Sequence, residues 1–193
     1  MAIPINLPNI ITLARIFLVP VFVVIYVSGV SWGYWATAAL FAAASLTDWL
    51  DGYLARKLNQ STPFGAFLDP VADKVIVVSA LILLLAHHGS VWLTLPGLVI
   101  VGREIFISAL REWMAEMQSS VTVAVNTLGK VKTALQMVAI TMLLAYPPDF
   151  STAWVLIAYV LIYVAAFMTL WSMVIYLRAA WPAINRGLRQ SGE

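Results

Sequence analysis

Four aspartates at the ends of two neighbouring apolar segments are the residues of this chain best suited to do chemistry. Asp48 and Asp51 are three residues apart, and Asp69 and Asp73 are four apart, so each pair shares one face of a helix. A short polar loop joins the two segments, so we expect antiparallel neighbouring helices and four converging carboxylates. Hard divalent cations relieve the repulsion among such charges. The pattern predicts a site for two Mg²⁺ or Mn²⁺ ions, which could promote a phosphoryl displacement.

The alternative is that these acids only form ion pairs with nearby cations, namely Arg56, Lys57 and Lys74. That explanation suffices for two acids, but four acids on adjacent helices with glycines between them favour a ligand site. Gly52 and Gly65 are both expected away from helix ends, where glycine costs up to about 1 kcal/mol. They predict the close approach of a bulky ligand, although helix packing would explain either glycine alone.

The composition shows what kind of protein must position these acids. The chain has 193 residues, of which 62% are hydrophobic and 10% are charged, whereas soluble domains contain about 25% charged residues. This excludes an ordinary soluble domain, a disordered chain and a nucleic-acid-binding protein. Cysteine is absent, so disulfides and thiolate chemistry are excluded as well.

The apolar segments predict an all-α, polytopic membrane protein that forms a single domain over residues 1–193. Membrane-spanning helices need roughly 20 residues each. Six are expected, at about residues 8–28, 33–58, 64–86, 91–116, 129–145 and 153–178.

The distribution of basic residues predicts the orientation. The turns near residues 29–33, 87–91 and 146–152 contain no Lys or Arg, so they should lie outside the cell. With six transmembrane helices, both termini are then cytoplasmic. Tryptophans fall where the segments would meet the outer interface, as an aromatic belt requires: Trp32, Trp35, Trp92 and Trp154.

The first apolar segment carries a polar face. Asn9, Thr12 and Arg15 are spaced by three residues on an otherwise apolar helix, so this face must turn toward protein or a wet cavity. Asn9 and Thr12 could contact a nucleotide diphosphate. Arg15 could bind a substrate phosphate or pair with an aspartate, and a purely structural role is an equal alternative for all three.

Cations of the fourth and fifth segments could bind an anion. Arg103 lies inside a predicted span and therefore needs a partner. Glu104 is about 100° away around the helix, so it is not automatically that partner, and Glu104 could instead pair with Arg111. Lys130 and Lys132 are about 200° apart, so both are not expected to bind one anion.

The acidic stretch resembles the signature of a known family. The pattern Asp48-x2-Asp51-Gly52-x2-Ala55-Arg56-x8-Gly65-x3-Asp69-x3-Asp73 is similar to the full motif of the CDP-alcohol phosphatidyltransferases, with eight fixed positions in 26 residues. The resemblance extends to the segments NLPNIITLARI, REIFISALREWMAE and GKVKTALQM, and thus over nearly the whole chain.

The resemblance implies an activity and a set of site residues. It implies transfer of the phosphatidyl group of CDP-diacylglycerol to the sn-1 hydroxyl of glycerol 3-phosphate, with release of CMP. It implies that Asp48, Asp51, Asp69 and Asp73 surround two metal ions per active site and that Asp73 also acts as general base. The implied CDP-diacylglycerol-binding residues, with the two from the first segment, are Asn9, Thr12, Gly52, Ala55, Arg56, Thr62 and Gly65. The candidates for binding glycerol phosphate are Arg15, Arg103, Arg111, Lys130 and Lys132.

The same resemblance implies a homodimer in a bacterial inner membrane, in contact with membrane lipid and with its active site on the cytoplasmic side. Within the family, phosphatidylglycerol (the cardiolipin-synthase type), inositol phosphate, serine or an amino alcohol are alternative acceptors, and composition cannot choose among them. A cation-coupled transporter is a more distant alternative, because the acids lie near one membrane edge and two equivalent halves are missing. A purely structural membrane protein would leave the four aspartates without a task.

Overall fold

A computed structural model describes residues 6–57, 62–116 and 127–190 of the chain. Within these ranges, the side chains at positions 7–8, 48–57, 66, 116, 127–128, 183–184 and 186–190 lie outside the description.

The described ranges contain six α-helices and no strand, as the pattern of apolar segments predicts. Every predicted segment coincides with a helix, and the last helix continues past residue 178 into the basic tail, in agreement with the helix-forming character of that sequence. The helices are α1 (Leu7–Val27), α2 (Gly33–Lys57), α3 (Pro63–His88), α4 (Val91–Glu116), α5 (Thr127–Ala145) and α6 (Ala153–Gln190).

Local signals in the sequence explain where α1 and α3 begin and end. Asn6 and Thr62 are their N-caps, and each side chain accepts a hydrogen bond from the backbone N–H three residues later. A proline follows each cap within two residues, where its missing N–H has no helical partner to lose. Gly89 ends α3 with a φ of 55°, a left-handed conformation that glycine adopts without strain.

The helices form two compact units along the chain. The first contains α1, α2 and α3 together with Met137–Tyr159, which covers the end of α5 and the start of α6. The second contains α4, the start of α5 up to Gln136, and α6 from Val160 onward.

In the first unit, α1 packs against both α2 and α3. It runs antiparallel to α2, and the Thr37 hydroxyl donates to the carbonyl of Phe22 near the turn that joins them. It runs parallel to α3. Phe22, Phe41 and Leu81 are fully buried in this unit. In the second unit, Met114 of α4 packs against Ala180 of α6.

Large apolar side chains on the outer surface indicate a lipid environment. Phe17 is 72% exposed and Phe167 is 68% exposed, and a soluble monomer rarely shows so much apolar surface. Three of the helices in the described parts are long and apolar enough to span a membrane, over Asn9–Val27, Val91–Ala115 and Ala153–Pro182. The chain is therefore a helical membrane protein, and the six-span topology with cytoplasmic termini stays a prediction.

Candidate active site

The polar face of α1 is turned inward, as its spacing predicts. Asn9, Thr12 and Arg15 are only 3%, 0% and 2% exposed, although the rest of the helix is largely apolar. Burying three polar side chains is unfavourable unless each finds a hydrogen-bond partner. The partners therefore show what this face is for.

All three side chains bond to α3. Asn9 Nδ2 donates to Thr62 Oγ1 at 3.2 Å, and the Thr12 hydroxyl donates to Asp69 Oδ1 at 2.8 Å. Arg15 reaches furthest along the helix, and its NH1 lies 2.6 Å from Asp73 Oδ1. We call these three contacts the α1–α3 ladder. Two of its rungs end on acids of the motif, so α1 fixes the positions of both α3 carboxylates.

Of the two partners that the sequence leaves open for Arg15, an aspartate or a substrate phosphate, the structure shows the aspartate. A guanidinium buried in an apolar helix pair needs an anionic partner, and Asp73 supplies it. The Asp73 side chain is nevertheless 41% exposed. Its carboxylate can therefore be held by Arg15 on one side and still receive a substrate on the other.

Gly65 lies in the first turn of α3, so the expectation that it would be away from a helix end is wrong. Its N–H donates to the Thr62 hydroxyl at 3.0 Å, which is the capping bond. A Cβ at Gly65 would lie 2.6 Å from Asn9 Oδ1 and 3.2 Å from Thr62 Oγ1. The missing side chain therefore allows α1 to approach α3 closely. Helix packing, the simpler explanation of this glycine, is the role that the contacts show.

The α2 half of the motif is in helical conformation. Asp48, Asp51, Gly52, Ala55 and Arg56 all lie in α2, and their side chains are outside the described residues. Among the described side chains, no group of three or more His, Cys, Asp or Glu could hold a metal ion. Asp69 and Asp73 are one helical turn apart and supply hard oxygen donors, which fit a divalent cation such as Mg²⁺ or Mn²⁺.

A second polar cluster lies in the second unit, around Glu104. Arg103 NH1 lies 2.6 Å from Glu104 Oε1, and Lys132 Nζ lies 3.6 Å from the same oxygen. Arg103 NH2 also donates to the Ser172 hydroxyl of α6 at 3.4 Å. We call these residues the Glu104 cluster. Helical spacing left open whether Glu104 is the partner of Arg103, and in the structure the two neighbouring side chains are in contact.

The structure separates the four cation candidates of α4 and α5. Arg103 and Lys132 belong to the Glu104 cluster, and Lys132 is buried. Arg111 lies over the Tyr176 ring, 5.5 Å from its centroid, and not against Glu104, so the suggested Glu104–Arg111 pair is wrong. Lys130 is exposed on the helix surface. Lys130 and Lys132 thus differ in environment, as their angular separation predicts.

From the sequence, Glu104 is considered only as a structural partner of Arg103 or Arg111, although an acid next to an arginine inside an apolar segment signals a buried polar site. Two further residues were not identified from the sequence. Thr169 and Ser172 of α6 carry no such signal, since hydroxyl side chains are common in membrane helices. Thr169 is fully buried, and its hydroxyl has no hydrogen-bond partner among the described residues.

The histidines lie at the opposite end of α3 from the ladder, consistent with the expectation that they take no part in the chemistry. Tyr34 Oη and His87 Nε2 are 3.0 Å apart, and His88 Nδ1 lies 3.1 Å from Tyr159 Oη. Burial, with a smaller contribution from His87, lowers the pKa of His88 to about 4. An apolar cleft of about 420 Å³ in the first unit is lined by aromatic and alanine side chains such as Trp35, Ala38 and Tyr146, and contains none of the motif acids.

The helical membrane fold and the acidic motif define a class of protein, and comparison with known sequences agrees. Residues 5–176 match the model of the CDP-alcohol phosphatidyltransferase family, so the chain belongs to this family, which is metal-dependent.

Its relatives are more specific. The chain is 55% identical over 178 residues to the CDP-diacylglycerol–glycerol-3-phosphate 3-phosphatidyltransferase of Pseudomonas fluorescens, with 92% of this chain and 91% of that protein aligned. It is 54% identical over 142 residues to the protein of the same name from Escherichia coli strain K12, with 74% and 78% aligned.

Proposed function

We propose that this chain transfers the phosphatidyl group of CDP-diacylglycerol to the sn-1 hydroxyl of glycerol 3-phosphate, producing phosphatidylglycerophosphate and CMP. The observation that carries the proposal is the α1–α3 ladder, which holds Asp69 and Asp73 in place. The names of relatives that are more than half identical support the choice of substrates.

The reaction is a direct displacement. The sn-1 oxygen of glycerol 3-phosphate forms a bond to the lipid-side phosphorus, the bond from that phosphorus to the CMP oxygen breaks, and CMP leaves with the electron pair. Asp73 takes the proton of the attacking hydroxyl, because a carboxylate within hydrogen-bond reach makes this weak nucleophile effective. Arg15 fixes Asp73 Oδ1 and leaves the exposed part of the carboxylate for this task.

Asp48, Asp51, Asp69 and Asp73 are the proposed ligands of two Mg²⁺ or Mn²⁺ ions. When bound, such ions neutralise the carboxylates and stabilise the charge that develops on the diphosphate. Thr12 donates to Asp69 Oδ1, which fixes that carboxylate and leaves its second oxygen available. The absence of cysteine and the position of both histidines at the far end of α3 agree with ligands that are all oxygen atoms.

The CDP-diacylglycerol pocket is assigned to the residues around the ladder and the α2 half of the motif: Asn9, Thr12, Gly52, Ala55, Arg56, Thr62 and Gly65. In this proposal Asn9 and Thr62, which are hydrogen-bonded to each other, line the pocket. Gly65 has no side chain and therefore leaves room for both of them. Arg56 pairs with a phosphate of the nucleotide.

The acceptor phosphate is assigned first to Arg103 and Lys132. Both are held by one carboxylate, which leaves the cluster with a net positive charge. Arg103 Nε is buried and has no partner among the described residues. Buried donors without partners are rare in proteins, so a bound anion is a natural complement. Arg111 and Lys130 are weaker candidates, because one stacks on Tyr176 and the other is exposed. Arg15 is reassigned to positioning Asp73.

The same proposal includes six membrane spans in a single domain, cytoplasmic termini and an active site at the cytoplasmic edge of a bacterial inner membrane. It also includes a homodimer. The distribution of Lys and Arg supports the orientation, and the bacterial relatives support a bacterial membrane. The single domain, the six spans and the homodimer rest on the sequence pattern and on the resemblance to the family.

Another acceptor is the main competing function, because enzymes of one family share the metal chemistry. A purified sample in detergent, supplied with CDP-diacylglycerol and Mg²⁺, would be given glycerol 3-phosphate, phosphatidylglycerol, inositol phosphate and serine in parallel, and CMP release would be measured. We expect CMP release only in the sample that receives glycerol 3-phosphate as the acceptor. No CMP should be released after chelation of the metal. Release with a different acceptor would overturn the assignment of substrate and keep the metal chemistry.

A further inference from the structure

We propose that Glu104 is a positioning residue for the acceptor. Its carboxylate holds Arg103 and Lys132 side by side so that together they receive the phosphate of glycerol 3-phosphate. The inference rests on the proposed function, because it concerns the same acceptor, and it adds a residue of negative charge to a site that must bind an anion.

The geometry of the cluster carries the argument. One oxygen, Glu104 Oε1, lies 2.6 Å from Arg103 NH1 and 3.6 Å from Lys132 Nζ. The side chains of Arg103 and Lys132 are 14% and 5% exposed. Two cations brought together in such a poorly hydrated place repel each other strongly. A shared anion offsets this repulsion. Glu104 therefore allows the charged groups of Arg103 and Lys132 to lie close together.

The charge balance leaves the cluster able to bind a further anion. Glu104 neutralises one of its two partners, so one net positive charge remains among these three side chains. Arg111 lies within electrostatic range of Lys132 and adds to it. A phosphate group that is close to a dianion at neutral pH is therefore attracted even though a carboxylate is already present.

Arg103 also keeps donors available. Its NH1 is engaged by Glu104 and its NH2 donates weakly to Ser172 at 3.4 Å. Its Nε is buried and has no partner among the described side chains. Glu104 of α4 and Ser172 of α6 thus hold the guanidinium, and in this proposal its remaining N–H groups are the donors for the phosphate. Arginine is suited to this task because its donors form a rigid planar fork.

The test compares Glu104→Gln with Glu112→Gln in the purified enzyme. Both changes remove one negative charge from α4, but Glu112 is exposed and has no part in the cluster. We expect Glu104→Gln to raise the KM for glycerol 3-phosphate about tenfold and to leave the KM for CDP-diacylglycerol within about twofold. A tenfold change corresponds to about 1.4 kcal/mol. Glu112→Gln should resemble the wild type in both constants.

A second readout does not depend on turnover. Glycerol 3-phosphate alone should raise the Tm of the wild type and of Glu112→Gln, because a ligand that binds the folded state stabilises it. It should raise the Tm of Glu104→Gln much less. Glu104→Asp keeps the charge but withdraws the oxygen by one methylene, so its KM should lie between those of the wild type and Glu104→Gln. This variant also serves if Glu104→Gln does not fold.

The outcomes separate the inference from the proposed function. If the wild type neither uses nor is stabilised by glycerol 3-phosphate, the proposed function and the inference both fail. If the wild type uses it and Glu104→Gln has an unchanged or lower KM for it, only the inference fails. Equal increases in both KM values with a lowered Tm would show that Glu104 is merely structural, which also overturns the inference.

Discussion

Thr12 illustrates how one small side chain can fix a reactive group. Its hydroxyl is fully buried and lies 2.8 Å from Asp69 Oδ1. A hydrogen bond to a carboxylate is stronger than one between neutral groups, and its donor here is on a different helix. Thr12 therefore affects Asp69, a proposed metal ligand, by fixing the position of its carboxylate.

We expect Thr12→Val to lower kcat/KM at least tenfold and the free energy of unfolding by about 1.5–3 kcal/mol, because the isosteric change leaves Asp69 without its donor. Thr12→Ser should keep most of both. Thr94→Val is the matched control, since Thr94 is exposed and its hydroxyl donates to the backbone carbonyl of Ser90, just before α4. Steady-state CMP release and thermal unfolding in detergent measure the effects. Equal behaviour of Thr12→Val and Thr94→Val would contradict the assigned role.

Arg15 and Arg103 show what the sequence could and could not predict at this scale. Both are arginines in apolar segments, so the need for an anionic partner could be predicted from burial alone. The identity of the partner depends on the register between helices or on the path of a flexible side chain. Spacing therefore left two choices open for Arg15, and it left the partner of Arg103 undetermined.

At the scale of helices, the first turn of α3 is where α1 and α3 approach each other. Thr62 caps the helix and accepts from Asn9, while Gly65 leaves room for the Asn9 amide. The two polar contacts below this point, to Asp69 and Asp73, require the helices to stay at that separation. Gly65 thus serves the acids through helix packing.

Gly65→Ala should destabilise the protein by about 1–3 kcal/mol, because its Cβ would overlap Asn9 Oδ1 and force the helices apart. Activity should fall with it. At Gly102 of α4 an added Cβ would meet nothing within 4 Å, so Gly102→Ala should be neutral or stabilise by up to about 1 kcal/mol. Thermal unfolding of both variants shows whether overlap with Asn9 or helix propensity determines the effect of the added Cβ at Gly65.

Asn9→Ala provides a further control on this contact. Combined with Gly65→Ala it should recover part of the lost stability, since the overlapping amide is removed. Simple addition of the two separate losses would show that Gly65→Ala acts through something other than Asn9.

The positions of the helices could be predicted almost completely, since hydrophobic segments, proline and glycine mark their ends. As for the pairing of the helices, the sequence predicted that α2 and α3 are antiparallel neighbours and that the polar side of α1 faces inward. It did not predict that this side of α1 contacts α3. The contact between Ser172 of α6 and Arg103 could not be predicted, because the two residues are 69 positions apart in sequence. Helical periodicity carries no information about such distant neighbours.

For the molecule as a whole, the apolar exterior and the buried polar contacts follow from folding in lipid. Apolar side chains can face the bilayer, whereas polar side chains in the interior form hydrogen bonds and ion pairs with one another. Such contacts occur at both ends of the first unit. The acids lie at one end of α3, and His88, which lies just beyond the predicted apolar segment, bonds to Tyr159 at the other.

His88 makes stability depend on pH. Its pKa is lowered from 6.5 to about 4, mainly by burial, so between these values the unfolded chain binds more protons than the folded one. Stability therefore falls as the pH is lowered from about 6.5 toward 4. We expect the Tm to decrease over this window, and His88→Asn, which retains a donor and an acceptor near the Nδ1 position, to reduce that decrease. His87→Asn is the control, and an unchanged pH dependence in His88→Asn would contradict the assignment to His88.

The most direct test of the central claim is the identity of the lipid that the enzyme makes. The wild type in detergent would be given CDP-diacylglycerol, glycerol 3-phosphate and Mg²⁺, and the lipid products would be identified by mass spectrometry, with Asp73→Asn and a chelated sample in parallel. We predict phosphatidylglycerophosphate from the wild type, in an amount equal to the CMP released, and none from the other two samples. A folded wild type that forms no phosphatidylglycerophosphate, or an Asp73→Asn variant that forms it at the wild-type rate, would contradict the account.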